Sequence, residues 1–354
     1  MTSRQAENSG TGAVRAGLEI DEARLADWLR SRIEGFRGPL RVSQFRGGQS
    51  NPTYLLETAA KRYVLRRKPP GPLLSSAHAV DREFRIISAL HAAGFPVPRP
   101  FALCSDEAVT GTTFFVMAYV EGRIFWELDL PGLHPDERAA IYDDVNRTIA
   151  RLHTIDYEAL GLGDFGRPGN YFARQVSRWT KQYRASESHR IEAMERLIAW
   201  LPGNIPADDS TSIVHGDFRL DNLIVHPDEP RVIAVLDWEL STLGHPLADF
   251  TYHLLPWQMP EIGIGSLGLC DRDLAALGIP GEEDYVARYC ERTGRAGIPH
   301  RGFYAAFNLF RLAGILQGIS GRVRDGTAAS AHARRAALSV EPLAALGAAA
   351  AGLG

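Results

Sequence analysis

Lysine is nearly missing from this chain of 354 residues: Lys61, Lys68 and Lys181 are the only three, and the rest of the 39 basic residues are arginine. Chemistry that needs a primary amine therefore has few positions to use. No Gly-Lys dipeptide occurs, which excludes a Walker-type phosphate loop. HExxH and GxSxG are absent as well, which removes zincin metalloproteases and the serine elbow of α/β-hydrolases. Cys104, Cys270 and Cys290 stand singly with no CxxC pair, so a reducing compartment is expected and a disulfide framework is not. Basic residues do not exceed acidic ones (39 against 42), which argues against a dedicated nucleic-acid binder. The Ala/Gly-rich tail over 329–354 is interrupted by Arg334, Arg335, Glu341 and Pro342. It falls short of the roughly 20 apolar residues that a membrane span needs. The first 20 residues have neither a basic start nor an apolar stretch of signal-peptide type. The expectation is a soluble cytoplasmic protein with no membrane or nucleic-acid partner.

What is present divides into two parts, as the length suggests at about 150 residues per domain. Residues 1–20 are polar and aperiodic and are expected to be disordered. Residues 21–33 read as a short amphipathic helix, followed by strand-like runs at 40–45, 53–57 and 62–66 and then the breaker Lys68-Pro69-Pro70-Gly71-Pro72. Over 79–93, Val80, Phe84, Ile87 and Leu90 recur at helical spacing, with Gly94 to close the helix. Glu83 falls on that same apolar face, where a carboxylate needs a partner. More strand follows at 112–120. From about residue 135 the pattern is mostly helical, broken by short strand-like pieces at 212–214, 223–225 and 232–236. The expected organisation is α+β: an N-terminal lobe over 21–120 and a larger, mainly helical lobe over 121–354 with a short β insert.

Two segments match GxGxxG, at 161–166 and 263–268. Neither follows a predicted strand, so both read as Gly-rich turns, not as dinucleotide sites. The densest chemistry lies instead in His215-Gly216-Asp217-Phe218-Arg219-Leu220-Asp221-Asn222, followed fifteen residues after Asn222 by Asp237-Trp238-Glu239. A strand, a polar loop and a second strand put Asp217 and Asn222 on one loop, and a third strand ends at Asp237. Phosphoryl transfer needs such a set: Asp217 as the base for an acceptor hydroxyl, with Asn222 and Asp237 as Mg²⁺ ligands on the phosphates. The spacing Asp-x₄-Asn equals that of the kinase catalytic loop. Arg219 can reach the transferring phosphoryl group as a cation, and His215 braces the loop. Upstream, Glu83 lies 17 residues after Arg66, the positions of the ion pair that orients the α- and β-phosphates in a kinase small lobe. The turn Gly47-Gly48-Gln49-Ser50-Asn51 brings backbone N–H groups to phosphate. Met117-Ala118-Tyr119-Val120 reads as the connector that offers backbone groups to an adenine.

On these residues the chain resembles the aminoglycoside-phosphotransferase-like branch of the protein-kinase-like fold. Within that branch it is similar to the kinase domains attached to acyl-CoA dehydrogenases. The resemblance also rests on 64–71, on Val80-Asp81-Arg82-Glu83 and on Gly244-His245-Pro246-Leu247-Ala248-Asp249, and it covers about residues 40–325. It implies a bilobal fold, with a small antiparallel β-sheet lobe holding one key helix and a larger helical lobe. It also implies use of ATP, or GTP, with Mg²⁺. The residues carried over are Asp217 as base, Asn222 and Asp237 as metal ligands and Glu83 as the helix carboxylate; Arg219 joins Asp217 for catalysis on the reading above. Gly48, Ser50, Asn51, Arg66, Glu83, Met117 and Tyr119 are the residues expected at the nucleotide. One departure stands out: many relatives place lysine where Arg66 stands, and the two cations are not interchangeable. The literal Asp164-Phe165-Gly166 precedes the catalytic loop and cannot be the metal-binding triplet.

Several bland readings stand beside these. Asp221 reads as a loop brace, Asp249 as a helix cap or loop support, and Glu239 as either a metal contact or a structural hydrogen bond. A hydrolase metal cluster built on His215, Asp217, His226, Asp237 and His245 would expect tighter histidine spacing. From Thr251 onward nine acidic residues face ten arginines, so no acidic lining favours a polycationic antibiotic. Phe303, Tyr304, Phe307, Phe310 and Arg311 share an aromatic-rich helix, which packs a core or else lines a pocket for an anionic, partly apolar acceptor. Glu239 and Arg311 are thus the candidate acceptor residues. The expected activity is phosphorylation of a small-molecule hydroxyl, with a hydroxyacyl-CoA or similar metabolite as acceptor and a functional link to an acyl-CoA dehydrogenase. The alternatives are an aminoglycoside or macrolide kinase and a nucleotide-binding module without catalysis.

Overall fold

The computed structural model describes residues 8–47, 51–71, 79–260, 268–324 and 338–354. They fall into two compact units, one drawn from Met1–Trp126, Glu158–Leu162 and Leu220–Ser241, the other from Glu127–Tyr157, Gly163–Arg219 and Thr242–Gly354.

The first unit contains β1 (Thr11–Gly12), α1 (Glu22–Arg32), β2 (Arg41–Phe45), β3 (Thr53–Glu57), β4 (Arg62–Arg67), α2 (Val80–Ala92), β5 (Pro100–Cys104) and β6 (Phe114–Ala118). The strands form one antiparallel sheet in the order β1-β2-β3-β4-β6-β5. Side chains alternate across a strand, so Tyr54, Leu56, Tyr63, Leu65, Phe114 and Val116 share one face and join Leu25 and Leu29 of α1 in a single core. The Asp21 carboxylate starts α1 by accepting from the Arg24 N–H at 3.0 Å. Val64, Arg66, Phe115 and Met117 lie on the opposite parity, the side that receives α2, where the Phe84 and Phe115 rings are 5.9 Å apart. Helix α2 buries Val80, Ile86, Ile87, Leu90 and also Glu83. Each large apolar side chain buried this way contributes about 1.5–3 kcal/mol, and a carboxylate among them needs a counter-charge. Thr11 and Gly12, within the stretch expected to lack order, pair with Phe45 and Gln44 of β2. Strands β5 and β1 carry too little local pattern to be read in advance, being opened by a proline and only two residues long respectively. A hairpin of β8 (Leu223–Val225) and β9 (Val232–Val235) completes this unit.

The second unit pairs β7 (Ser212–Val214) with β10 (Thr242–Gly244). Among the described residues its helices of eight residues or more are α3 (Pro135–Thr154), α4 (Tyr171–Ser186), α5 (Glu192–Trp200), α6 (Pro246–His253), α7 (Glu282–Thr293), α8 (Arg301–Arg324) and α9 (Val340–Ala350). Helix α6 begins with Pro246 after His245, whose Nδ1 accepts from the Leu247 N–H at 3.1 Å. Aromatic stacking fills the interior: Phe250 lies 3.6 Å from Tyr289, and Trp257 lies 4.8 Å from Tyr285. Arg292 donates from one nitrogen to both oxygens of Asp143 at 2.9 and 2.8 Å, tying α7 to α3. Phe303, Tyr304, Phe307 and Phe310 of α8 are all buried, three of them around Phe172, so these aromatics pack the core. Gly166 explains why Asp164-Phe165-Gly166 misleads: a Cβ there would stand 2.6 Å from the Leu243 nitrogen of β10, so the glycine serves close packing. The motif at 263–268 lies mostly outside the described residues.

Gly122, in the first unit, leaves no room for a side chain, because a Cβ would stand 2.4 Å from the carbonyl oxygen of Val225. Gly122→Ala is expected to cost about 1–3 kcal/mol, read as a lowered urea midpoint with an unchanged slope.

Candidate active site

In the first unit the polar cluster forms around Arg66. The side chain is 8% exposed, and three carboxylates meet it. Its Nε donates to Glu83 Oε2 at 2.7 Å, and one terminal nitrogen reaches Asp237 Oδ1 at 2.5 Å and Glu239 Oε2 at 3.4 Å. Thr53 Oγ1 lies 3.5 Å from the other terminal nitrogen. A planar fork of donors can serve several acceptors at once, which an ammonium on a single stem does less well. Burial by itself would weaken the guanidinium's hold on its proton, but Glu83, Asp237 and Glu239 outweigh it and Arg66 is held firmly in the charged form. For Glu83 the balance falls the other way. Burial pushes its carboxyl up to about 7, against the pull of Arg66, and Asp237 and Glu239 push in the same direction.

Asp237 adopts φ 63° and ψ 62° at the start of a short 3₁₀ turn, Trp238–Leu240. The left-handed region is uncommon for residues other than glycine, and Asp and Asn tolerate it best. Trp238 anchors the turn by donating from its indole to the Val235 carbonyl at 2.9 Å. Asn222 closes a second 3₁₀ turn, Leu220–Asn222, and its carbonyl accepts from the Leu236 N–H at 2.8 Å. That bond ties Asn222 to the residue just before Asp237. Asn51 is fully buried and donates from Nδ2 to Glu239 Oε2 at 3.2 Å.

In the second unit the cluster surrounds Asp217. The Tyr252 hydroxyl donates to Asp217 Oδ1 at 2.8 Å, and Arg219 Nε lies 3.5 Å from the same oxygen. Burial would raise this carboxyl, but Arg219, the Tyr252 hydroxyl, His215 and Arg311 together hold it below the usual aspartate range. The backbone beneath is gripped from several sides. Asp249, itself buried, accepts from the His215 N–H at 2.7 Å and the Gly216 N–H at 2.9 Å. His215 Nδ1 accepts from the Asp217 N–H at 3.2 Å, which makes His215 a brace. His153 stands behind Asp249, with Nε2 3.3 Å from its Oδ2 and Nδ1 2.8 Å from the Tyr289 hydroxyl. Gly216 takes φ 84°, which suits a residue without Cβ. Of the two roles considered for Asp249, support of the loop is the one observed.

The expected site residues thus divide by unit. Arg66, Glu83, Asn51, Asp237 and Glu239 meet in one cluster in the first, while Asp217 and Arg219 meet in the other. Chain connectivity joins the two sets, since the loop passes from the second unit to the first between Arg219 and Leu220. Arg311 is buried and donates to the Gly216 carbonyl at 2.5 Å, so its contacts are with the loop. Met117 sits inside β6 opposite Val64, and the Tyr119 ring lies 4.2 Å from the Arg62 guanidinium carbon. Gly48 and Ser50 lie outside the described residues. Tyr252 and His153 were not anticipated, because nothing in their local sequence marks them. Among the described residues no three His, Cys, Asp or Glu side chains converge as a metal cage.

A lysine-like position paired with a helix carboxylate, and a His-Gly-Asp loop ending in Asn before a further Asp, define a phosphotransferase of the protein-kinase-like class. The sequence pattern described as the phosphotransferase enzyme family matches residues 41–298, and the chain belongs to that family. It is 47% identical over 337 residues to acyl-CoA dehydrogenase family member 10 of Mus musculus, covering 95% of this chain and 32% of that protein. The chain therefore spans about a third of that relative's length. A presumed aminoglycoside phosphotransferase from Ralstonia eutropha, known as a crystal structure, superposes with a TM-score of 0.87 at 52% identity, covering 94% of this chain and 99% of that one. Spectinomycin phosphotransferase in complex with ADP and spectinomycin shares the fold, with a TM-score of 0.60 at 13% identity over 94% of this chain and 98% of its own.

Two outcomes follow from the Arg66 cluster. Arg66→Ala strands Glu83 without its buried partner and is expected to cost about 3–5 kcal/mol, measured by urea unfolding. Because the Glu83 carboxyl titrates higher in the folded chain than its ordinary 4.5, its protonation favours folding. That contribution is complete below the ordinary range and is lost as pH rises through about 7. Glu83→Gln should flatten the decline in unfolding free energy between these limits.

Proposed function

We propose that this phosphotransferase moves the γ-phosphoryl group of ATP, with Mg²⁺, to a hydroxyl of an anionic small molecule, with a hydroxyacyl-CoA or similar metabolite as the acceptor. The observation that carries the proposal is Asp217: a carboxylate held ionised on a braced loop, five residues before Asn222. An ionised carboxylate can take the proton that an acceptor hydroxyl loses as it attacks phosphorus. Arg219, beside it, supplies positive charge where negative charge develops on the transferring group.

The donor set fits Mg²⁺. The Asp237 side chain is 32% exposed and already faces a cation, Arg66, and Asn222 offers an amide oxygen on the adjoining turn. Magnesium characteristically takes one or two protein oxygens and completes its shell with phosphates and water, so a cage of three protein ligands is not required. Bound there, Mg²⁺ would neutralise charge on the β- and γ-phosphate oxygens. Arg66, oriented by Glu83, is assigned to the nucleotide phosphates, Asn51 and Glu239 to the support of that arrangement, and 117–119 to the adenine side.

The acceptor class and a link to an acyl-CoA dehydrogenase rest on the mouse relative's name and on the balance of charge after Thr251. A second acceptor class, aminoglycosides, is favoured by the Ralstonia relative at 52% identity. Measuring ADP release with ATP or GTP against hydroxyacyl-CoAs, aminoglycosides and macrolides separates these. Turnover confined to the antibiotics would overturn the acyl-CoA proposal, and turnover with none of them would overturn small-molecule transfer as stated.

Asp217→Asn is expected to abolish turnover while keeping the rise in melting temperature that Mg²⁺ and ATP produce, because the base is lost and the phosphate contacts remain. A ligand at 100 times its Kd adds about 2.7 kcal/mol to stability, a shift that is easily read. Asp237→Ala should lose the magnesium-dependent part of that shift, and retention of it would remove Asp237 from the metal site.

A further inference from the structure

We infer that Tyr252 is a positioning residue for Asp217 and that Arg311 sets Tyr252, so that one pair on α6 and α8 orients both the proposed base and the backbone beneath it. The inference rests on the assignment of Asp217 as base. The geometry is reciprocal. Tyr252 is 9% exposed and places its hydroxyl 2.8 Å from Asp217 Oδ1. The Arg311 guanidinium carbon lies 5.1 Å from the centre of the Tyr252 ring and 5.8 Å from that of Trp179, a cation between two aromatic faces. The same guanidinium donates to the Gly216 carbonyl at 2.5 Å. The Gly216 residue is thereby held at its N–H by Asp249 and at its carbonyl by Arg311.

A carboxylate turns about its last side-chain bond unless something stops it, and the twofold torsion there is soft. The hydrogen bond from the α6 hydroxyl restrains that rotation, and the Arg219 charge 3.5 Å from the same oxygen adds a non-directional pull. Restraining it matters because proton transfer to a base depends on reach and angle before it depends on basicity. Arg311 contributes a second effect. Its charge lies against the ring that carries the hydroxyl, so loss of Arg311 loosens Tyr252 even where the Tyr–Asp bond survives. The charged and titratable groups facing Asp217 include Arg219 and His215 from the loop, Tyr252 from α6 and Arg311 from α8. Of these only Tyr252 can be reduced to an apolar ring without altering charge.

The test is Tyr252→Phe in the full chain. Expected is a fall in kcat of about tenfold or more with the nucleotide KM unchanged. The acid limb of the pH–rate profile should move about one unit toward neutrality, because a hydrogen bond to the ionised form is lost. Arg311→Lys should keep the charge but lose the fork of donors that reaches the Gly216 carbonyl while lying over the Tyr252 ring, giving a smaller fall in kcat and an intermediate pH shift. Titration of ¹³C-labelled aspartate carboxyls by NMR, without nucleotide, supplies a readout independent of turnover: one carboxyl resonance, absent in Asp217→Asn, should titrate higher in Tyr252→Phe than in the parent chain. If the parent chain is active and Tyr252→Phe matches it in kcat, pH profile and carboxyl titration, the inference fails while the kinase proposal stands. If the parent chain has no activity on any acceptor but the carboxyl shift is seen, the positioning contact is real and the assignment of Asp217 as base is what fails.

Discussion

A guanidinium that is almost wholly buried has to be neutralised, and this requirement organises the first unit. Arg66 stands on the face of the sheet that receives α2, where apolar side chains supply the burial. Glu83 answers it from the helix, while Asp237 and Glu239 answer it from the turn after β9. One cation thus fixes the rotation of α2 against the sheet and the approach of the Asp237 turn. Replacing it by a lysine would leave a single ammonium to serve acceptors in three directions. Three carboxylates around one guanidinium also leave the cluster receptive to further positive charge.

The second unit solves a different problem, that of holding a loop still without a regular ladder of hydrogen bonds. Between β7 and the turn at Leu220, successive backbone groups are claimed by side chains: the His215 and Gly216 N–H groups by Asp249, the Asp217 N–H by His215, the Gly216 carbonyl by Arg311. Buried backbone groups seldom go unpaired, and here the partners come from two helices and from the loop itself. His153 and Tyr289 extend the support behind Asp249. The arrangement lets a polar loop sit in a buried setting while the one carboxylate on it stays ionised.

Much of this was legible because the chemistry is written locally. Asp217 and Asn222 lie five residues apart and Asp237 follows one short hairpin later, so their order and spacing carry meaning without any knowledge of the fold. Glu83 was legible through conflict: a carboxylate in a helical apolar stripe must have a partner, and the partner proved to be Arg66. Strand β3 and helix α2 were readable from alternation and 3.6-residue spacing. The parts that escaped depend on distant pairing. Tyr252 meets Asp217 across 35 residues of chain and looks, in sequence, like one more aromatic in an apolar helix. Arg311 reads in the sequence as a cation among aromatics, a candidate for the acceptor; in the structure it meets the Gly216 carbonyl and the rings of Tyr252 and Trp179. Strand β10 is three residues long and pairs with a partner almost thirty residues earlier, so no local period could reveal it.

The backbone at Asp237 adds a restriction of its own. With φ at 63° the position admits glycine freely, asparagine and aspartate with little cost, and longer or branched side chains only under strain. The contact with Arg66 asks for something else, a carboxylate oxygen, which glutamate would provide as well as aspartate. The two filters overlap best at a single amino acid. Glutamate keeps the carboxylate at a greater torsional cost, asparagine takes the torsion and lacks the carboxylate, and aspartate meets both at the least cost. At this point in the chain the identity of the side chain is set as much by the handedness of the peptide as by the guanidinium it faces.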